Sequence, residues 1–143
     1  MNAIFLAQTD TTAGFLSLDS ARLNLIKGRD PRQKILRAAR DLRTLKTLAR
    51  VPAAHKNLIR RSRKITFLFP NGEAVRIASG DHKSFFARQS WFYSTSANLS
   101  GREFDLNIAE NLADTITRDS RGFFAAPASA IYKLSRAKIK KLR

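Results

Sequence analysis

With 143 residues, 43% of them hydrophobic and ten of them Phe, the chain is long enough to bury a core and too apolar for disorder. It has no Cys, which excludes disulfides and thiolate metal sites, and with only His55 and His82 neither a histidine-based metal centre nor any other protein-ligated metal is expected. Its 27 Lys and Arg outnumber 11 Asp and Glu for a formal net charge of +16, which makes nucleic acid the expected partner class.

No apolar run nears the roughly 20 residues of a spanning helix and no signal-peptide pattern opens the chain, so a cytoplasmic protein with no membrane partner is expected. In chain order, Ile4-Phe5-Leu6-Ala7 reads as a buried strand and Phe15-Leu16-Ser17-Leu18 as a second. Asp19 or Ser20 caps a short helix carrying Leu23 and Ile26, which ends near Gly28. Asp30-Pro31 then reads as the start of the longest helix. Its apolar face is Ile35, Leu36, Ala39, Leu42, Leu45 and Leu48-Ala49, its basic face Arg32, Arg37, Arg40, Arg43, Lys46 and Arg50, and Pro52 ends it.

Asn71-Gly72, between the β-rich runs from Ile65 and to Ile77, predicts a hairpin, because such a turn needs positive φ. Residues 81–90 predict a short helix with His82 on the surface, and Phe92 to Ser96 a strand. Leu106, Ile108-Ala109, Leu112-Ala113 and Ile116 predict another helix, and Ile131, Leu134, Ile139 and Leu142 short closing strands. Hairpins mixed with helices imply an α/β (α+β) fold, a twisted mixed sheet with flanking helices, read as one domain over residues 1–143.

Chemistry concentrates in three polar segments. Ser94-Thr95-Ser96-Ala97-Asn98-Leu99-Ser100-Gly101 follows the apolar Trp91-Phe92-Tyr93, and α/β sheets bind ligands where strands end in small polar residues. Ser96 and Asn98 are spaced to point the same way in extended backbone, which suits two groups converging on a nucleotide. Thr9, Asp10 and Thr11 sit at the end of the first strand, where they either form a turn or hold the polar groups of an amino acid. Lys27 and Arg29 are either solvated or a phosphate clamp of one point charge and one bidentate donor. Thr66 and Arg76 are weaker candidates, each on a strand, and Ser129 is weaker still.

These segments together resemble the YrdC-like family of threonylcarbamoyl-AMP synthases. That family carries Pro-Thr-Asp-Thr-x-Tyr-Gly, then Lys-x-Arg, then Thr-Ser-Ala-Asn-x-Ser-Gly. Thr9, Asp10, Thr11 and Gly14 match the first, Lys27 and Arg29 the second, Ser96 and Asn98 the third. Thr66, Val75-Arg76-Ile77 and Ser129-Ala130-Ile131 also agree, so the resemblance runs along nearly the whole chain. It departs at Gln8 for the Pro, Ala13 for the Tyr and Ser62-Arg63-Lys64 for a Pro-Gly-Pro, and the stretch from Gly14 to Lys27 is short.

The resemblance implies that L-threonine, bicarbonate and ATP are joined into threonylcarbamoyl-AMP with loss of pyrophosphate, for modification of tRNA. Thr9, Thr11 and Thr66 would then hold threonine and bicarbonate, and Lys27, Arg29, Ser96, Asn98 and Arg76 the ATP. Magnesium would accompany the triphosphate, and downstream tRNA-modification proteins would receive the product. There is no Walker-type loop, Ser-His-Asp set or spaced carboxylate pair, so no residue is assigned as catalytic, and positioning and charge stabilisation would carry any reaction.

The basic residues add a second expectation. Residues 1–21 hold no Lys or Arg, whereas Arg22 to Lys64 holds 15, opposed only by Asp30 and Asp41. A surface charged for solubility alone would mix signs. Arg37, Arg40, Arg43, Lys46, Arg60, Arg61, Arg63 and Lys64 are therefore expected to contact tRNA or double-stranded RNA through phosphates. The alternative to the synthase is a divergent YrdC-like module that keeps RNA binding and lacks the chemistry.

Overall fold

Residues 3–143 are described by the computed structural model. They divide into two compact units, each discontinuous in sequence: residues 3–35 with 92–128, and residues 36–91 with 129–143. Parallel and antiparallel strand pairs both occur, with helices beside them, so the class is mixed α/β as expected.

In the first unit, β1 (Phe5–Gln8) turns back through residues 9–12 into antiparallel β2 (Ala13–Ser17), with Ala7 opposite Gly14. Every residue of β2 is buried, which suits a central strand. Asp19 caps α1 (Ser20–Lys27) by accepting from the Arg22 amide at 3.1 Å, and Gly28 closes it at φ 75°. Residues 93–96 of β6 (Trp91–Ser96) pair antiparallel with β2, and β7 (Thr115–Thr117) runs parallel to β1. Strand order is therefore β7-β1-β2-β6, over a core of Ile4, Leu6, Phe15, Leu23 and Ala109. Ile116, read from sequence as helical, lies in β7: α4 (Leu106–Leu112) stops at Ala113. Asp114 then accepts from the Ile4 amide at 2.8 Å, which turns the chain alongside β1.

The long helix expected from Asp30 does not form, and the second unit begins at Leu36. Pro31 sits in a turn closed by the Gln33 amide on the Asp30 carbonyl at 3.0 Å. β3 (Arg37–Ala39) lies parallel to β5 (Ala74–Ile77), and a shorter α2 (Leu42–Leu48) starts at its own cap, Asp41. Strand pairing buries Ala38 and Ala39 completely, which overrides their local helical spacing. α2 stops at Leu48 with Ala49 extended, three residues before the Pro52 expected to end it, and Pro52 instead precedes a 3₁₀ turn over residues 53–55 that leads into α3 (Lys56–Arg61).

The hairpin joins β4 (Ile65–Leu68) to β5 as expected, but only Gly72 takes positive φ, at 85°. Phe69 and Glu73 close a three-residue loop of Pro70-Asn71-Gly72, so glycine serves the left-handed position and Asn71 does not. β8 (Ala130–Leu134) runs parallel to β4, and β9 (Ile139–Lys141) closes the order β3-β5-β4-β8-β9. Ala39, Leu45, Ile59, Phe67, Phe69, Val75 and Leu134 form this unit's core. His82, expected on the surface, is buried in the 3₁₀ segment Gly80–Phe86, with its ring 5.8 Å from Phe85 and 5.0 Å from Phe86.

Candidate functional site

The three polar segments meet within the first unit. Lys27, the last residue of α1, is only 3% exposed, and its ammonium lies under the segment that follows β6. Nζ donates to the Ser96 carbonyl and the Asn98 carbonyl, both at 2.5 Å, and to Asn98 Oδ1 at 3.2 Å, with Ser96 Oγ at 3.4 Å. The Ser100 amide returns a bond to the Lys27 carbonyl at 3.1 Å. A buried cation therefore holds the loop after β6 in shape through neutral oxygens. Burial, and next the positive Arg29, lower the Lys27 pKa to about 8.

Arg29 lies beyond the Gly28 cap with Nη2 3.4 Å from Thr95 Oγ1, and its buried Nε has no hydrogen-bond partner among the described residues. Asn24 fixes the segment around it by donating to the Pro31 carbonyl at 3.2 Å and the Gln33 carbonyl at 2.8 Å. Among the described residues, two cations thus stand together without a carboxylate against either. Asn98 turns its amide nitrogen to the Leu99 and Arg102 carbonyls, which braces the loop from the other side.

The Thr-Asp-Thr loop is built as a tight turn. Thr9 Oγ1 donates to the Thr12 carbonyl at 2.7 Å, accepts from the Thr11 amide at 3.1 Å, and lies 3.1 Å from Thr11 Oγ1. Both threonines are buried. Arg121 caps the turn by donating to the Gln8 and Thr9 carbonyls at 2.8 and 2.9 Å, and the Phe124 amide donates to Gln8 Oε1 at 2.9 Å. Gln8 therefore tethers a strap that a proline there would leave unheld. Nothing in the sequence marks Arg121, which acts across more than a hundred residues of chain.

Gly14 packs where no side chain fits. A Cβ there would come within 2.8 Å of Thr9 Cγ2 and 3.1 Å of the Thr95 carbonyl. The motif glycine thus lets the Thr9 turn and the Ser96 strand close on each other, because Gly14 pairs with Ser96 across β2 and β6.

The other three candidates assemble in the second unit. Thr66 and Arg76 face each other across the β4–β5 ladder, both buried, so their side chains share one face. Thr66 Oγ1 is 2.7 Å from Ser129 Oγ, and Arg143 donates twice to the Ser129 carbonyl, at 3.0 and 2.8 Å. The opposite face of the same strands carries Phe67 and Val75 into the core.

No protein-family model matches the chain, and no curated protein matches it by sequence. Solved structures match it throughout. P. abyssi Sua5 complexed with L-threonine superposes with a TM-score of 0.80 at 19% identity, covering 99% of this chain and 50% of Sua5. E. coli YciO gives 0.77 at 17%, covering 99% and 82%, and T. kodakarensis HypF gives 0.75 at 16%, covering 99% and 22%. The fold is YrdC-like. The chain spans about half the length of Sua5.

Within this YrdC-like fold the basic residues do not form the single helical face read from sequence. Arg37 lies in β3, donates to Glu73 Oε2 at 2.7 Å and sits 5.1 Å over the Trp91 ring. Arg40 contacts the Phe86 carbonyl and Asp41. Arg43, Lys46, Arg60, Arg61, Arg63 and Lys64 are exposed. Lys46 of α2 is crowded by Lys56 and then Arg60 of α3, and the Lys56 ammonium lowers its pKa. Lys56 belongs to this cluster and was not singled out from the sequence. By unit, residues 36–91 with 129–143 hold 19 Lys and Arg against 3 Asp and Glu, while residues 1–35 with 92–128 hold 8 of each. The whole net charge belongs to the second unit. Among the described residues no cluster of three His, Asp or Glu is placed to bind a metal, and no helix is long and apolar enough to cross a membrane.

Proposed function

We propose that the first unit binds the phosphates of ATP and that the chain makes threonylcarbamoyl-AMP from ATP, L-threonine and bicarbonate, releasing pyrophosphate. The observation that carries this reading is the pair of cations, Lys27 and Arg29, held at a strand end with no carboxylate beside them among the described residues. Lys27 shapes the Ser96–Asn98 loop while its charge lowers the cost of bringing an anion there. Arg29 has a guanidinium edge to offer a phosphate oxygen. The likeness to Sua5 solved with L-threonine supports threonine as the second ligand, held near the Thr9–Thr11 turn. Magnesium would enter as part of the substrate, ligated by phosphate oxygens.

Charge supports the rest of the reading. A neutral unit carrying the small-molecule site and a unit of net +16 divide the work between chemistry and docking of tRNA or double-stranded RNA in the cytoplasm. A second reading, an RNA-binding module without chemistry, is favoured by Ala13 in place of the family Tyr and by a Lys27 ammonium already bonded to two carbonyls.

Calorimetric titration with MgATP, followed by an assay for pyrophosphate release requiring both threonine and bicarbonate, separates the two. Dependence on both co-substrates supports the synthase. No heat at millimolar MgATP removes it and leaves the module.

A further inference from the structure

An open groove of about 1090 Å³ lies in the second unit, formed where the α2–α3 connection, the β4–β5 hairpin tip and the β8–β9 turn meet. Its floor is apolar: Val51, Pro52 and Pro70 line it, over a Phe69 ring that is itself 2% exposed. Arg50 and Arg136 stand at its rim, both exposed, and neither has an ion-pair partner among the described residues. Among those residues no acidic side chain lines it. None of its lining residues belongs to the ATP reading above.

We propose that this groove docks an acidic peptide segment of a partner protein, with an apolar side chain on the Val51-Pro52-Pro70 floor and carboxylates on Arg50 and Arg136. Charge complementarity argues for the acid. A guanidinium takes a carboxylate through two parallel bonds, and the surrounding unit carries 19 basic against 3 acidic residues. The floor argues for a peptide over single-stranded RNA, because bases bind by stacking on exposed aromatic rings and the one ring here is buried beneath aliphatic groups. A phosphate backbone would use the two arginines and leave the apolar floor uncovered.

Fluorescence anisotropy of the full chain with three fluorescein-labelled decapeptides tests this: alternating Glu and Leu, alternating Gln and Leu, and alternating Glu and Ser. The Glu–Leu peptide should bind at least tenfold more tightly than either control. Arg50→Ala and Arg136→Ala should each weaken it by about fivefold, the scale of an exposed ion pair. Both side chains are exposed, so circular dichroism should show both variants folded. Ala53→Glu, which places a carboxylate in the groove, should abolish binding, and Arg88→Ala, exposed and outside it, should change nothing. Equal affinity for the Glu–Leu and Glu–Ser peptides would overturn the proposal, since the floor would then contribute nothing. So would absent peptide binding together with an oligouridylate 16-mer whose affinity drops in Arg50→Ala and Arg136→Ala, which would make the groove part of an RNA surface.

Discussion

Replacing Gly14 by Ala tests whether the motif glycine is there for space. The added methyl meets Thr9 Cγ2 at 2.8 Å, closer than carbon atoms pack, and the Thr95 carbonyl at 3.1 Å. Neither neighbour yields easily. Thr9 is fixed in its rotamer by bonds from Oγ1 to the Thr12 carbonyl and from the Thr11 amide, and Thr95 is locked in the β2–β6 ladder. Overpacking of this kind costs about 1–3 kcal/mol, and with two rigid neighbours the upper half of that range applies. For a chain of this size that lowers the melting temperature by roughly 5–12 °C. The decisive variant is the double, Gly14→Ala with Thr9→Ser, which deletes Cγ2 and keeps the hydroxyl. Thr9→Ser alone should cost about 1 kcal/mol for a lost buried methyl. Because the methyl it deletes is the one that the new Cβ strikes, the double should be more stable than the sum of the singles by at least about 1 kcal/mol. Urea denaturation of the four proteins measures this coupling. Strict additivity, or a Gly14→Ala variant within about 0.5 kcal/mol of the parent, would refute the packing argument.

ATP affinity should fall as pH rises through about 8, because the Lys27 ammonium is lost there; titrations at pH 7 and 9 measure it, and Lys27→Met should flatten the difference. The same depressed pKa means the folded state releases this proton before the unfolded chain does, so Lys27 makes stability rise from about pH 8 toward its ordinary value of 10.5. Replacing Lys46, Lys56 and Arg60 together by Gln should weaken binding of duplex RNA and reduce the slope of log affinity against log salt by up to about 2.7, the scale for three phosphate contacts, in filter binding across a salt series. Arg37→Ala should instead lower stability with little change in that slope, since its charge is already taken by Glu73 and Trp91. Asp41→Ala should cost about 1 kcal/mol in thermal unfolding through loss of the α2 cap.

Local signals in the sequence were enough wherever one residue type sets the backbone by itself. Asp19 and Gly28 bound α1 and Gly72 turns the hairpin, because capping oxygens and positive φ need no distant partner. The order of Thr9, Gly14, Lys27, Arg29, Ser96 and Asn98 likewise pointed to one site without any knowledge of the fold. What the residues do there was decided by tertiary contacts. Lys27 holds carbonyls 69 and 71 residues away, and Arg121 holds a turn 112 and 113 residues away, contacts that no local pattern encodes. The segment from Asp30 to Arg50 shows the limit most plainly. Its apolar spacing fits a helix, yet pairing with β5 buries Ala38 and Ala39 in a strand and scatters the arginines that spacing had aligned. Net charge was a property of the composition, but its confinement to one unit arose only because the fold joins residues 36–91 to 129–143, since charge is sorted by which segments pack together and not by their order along the chain.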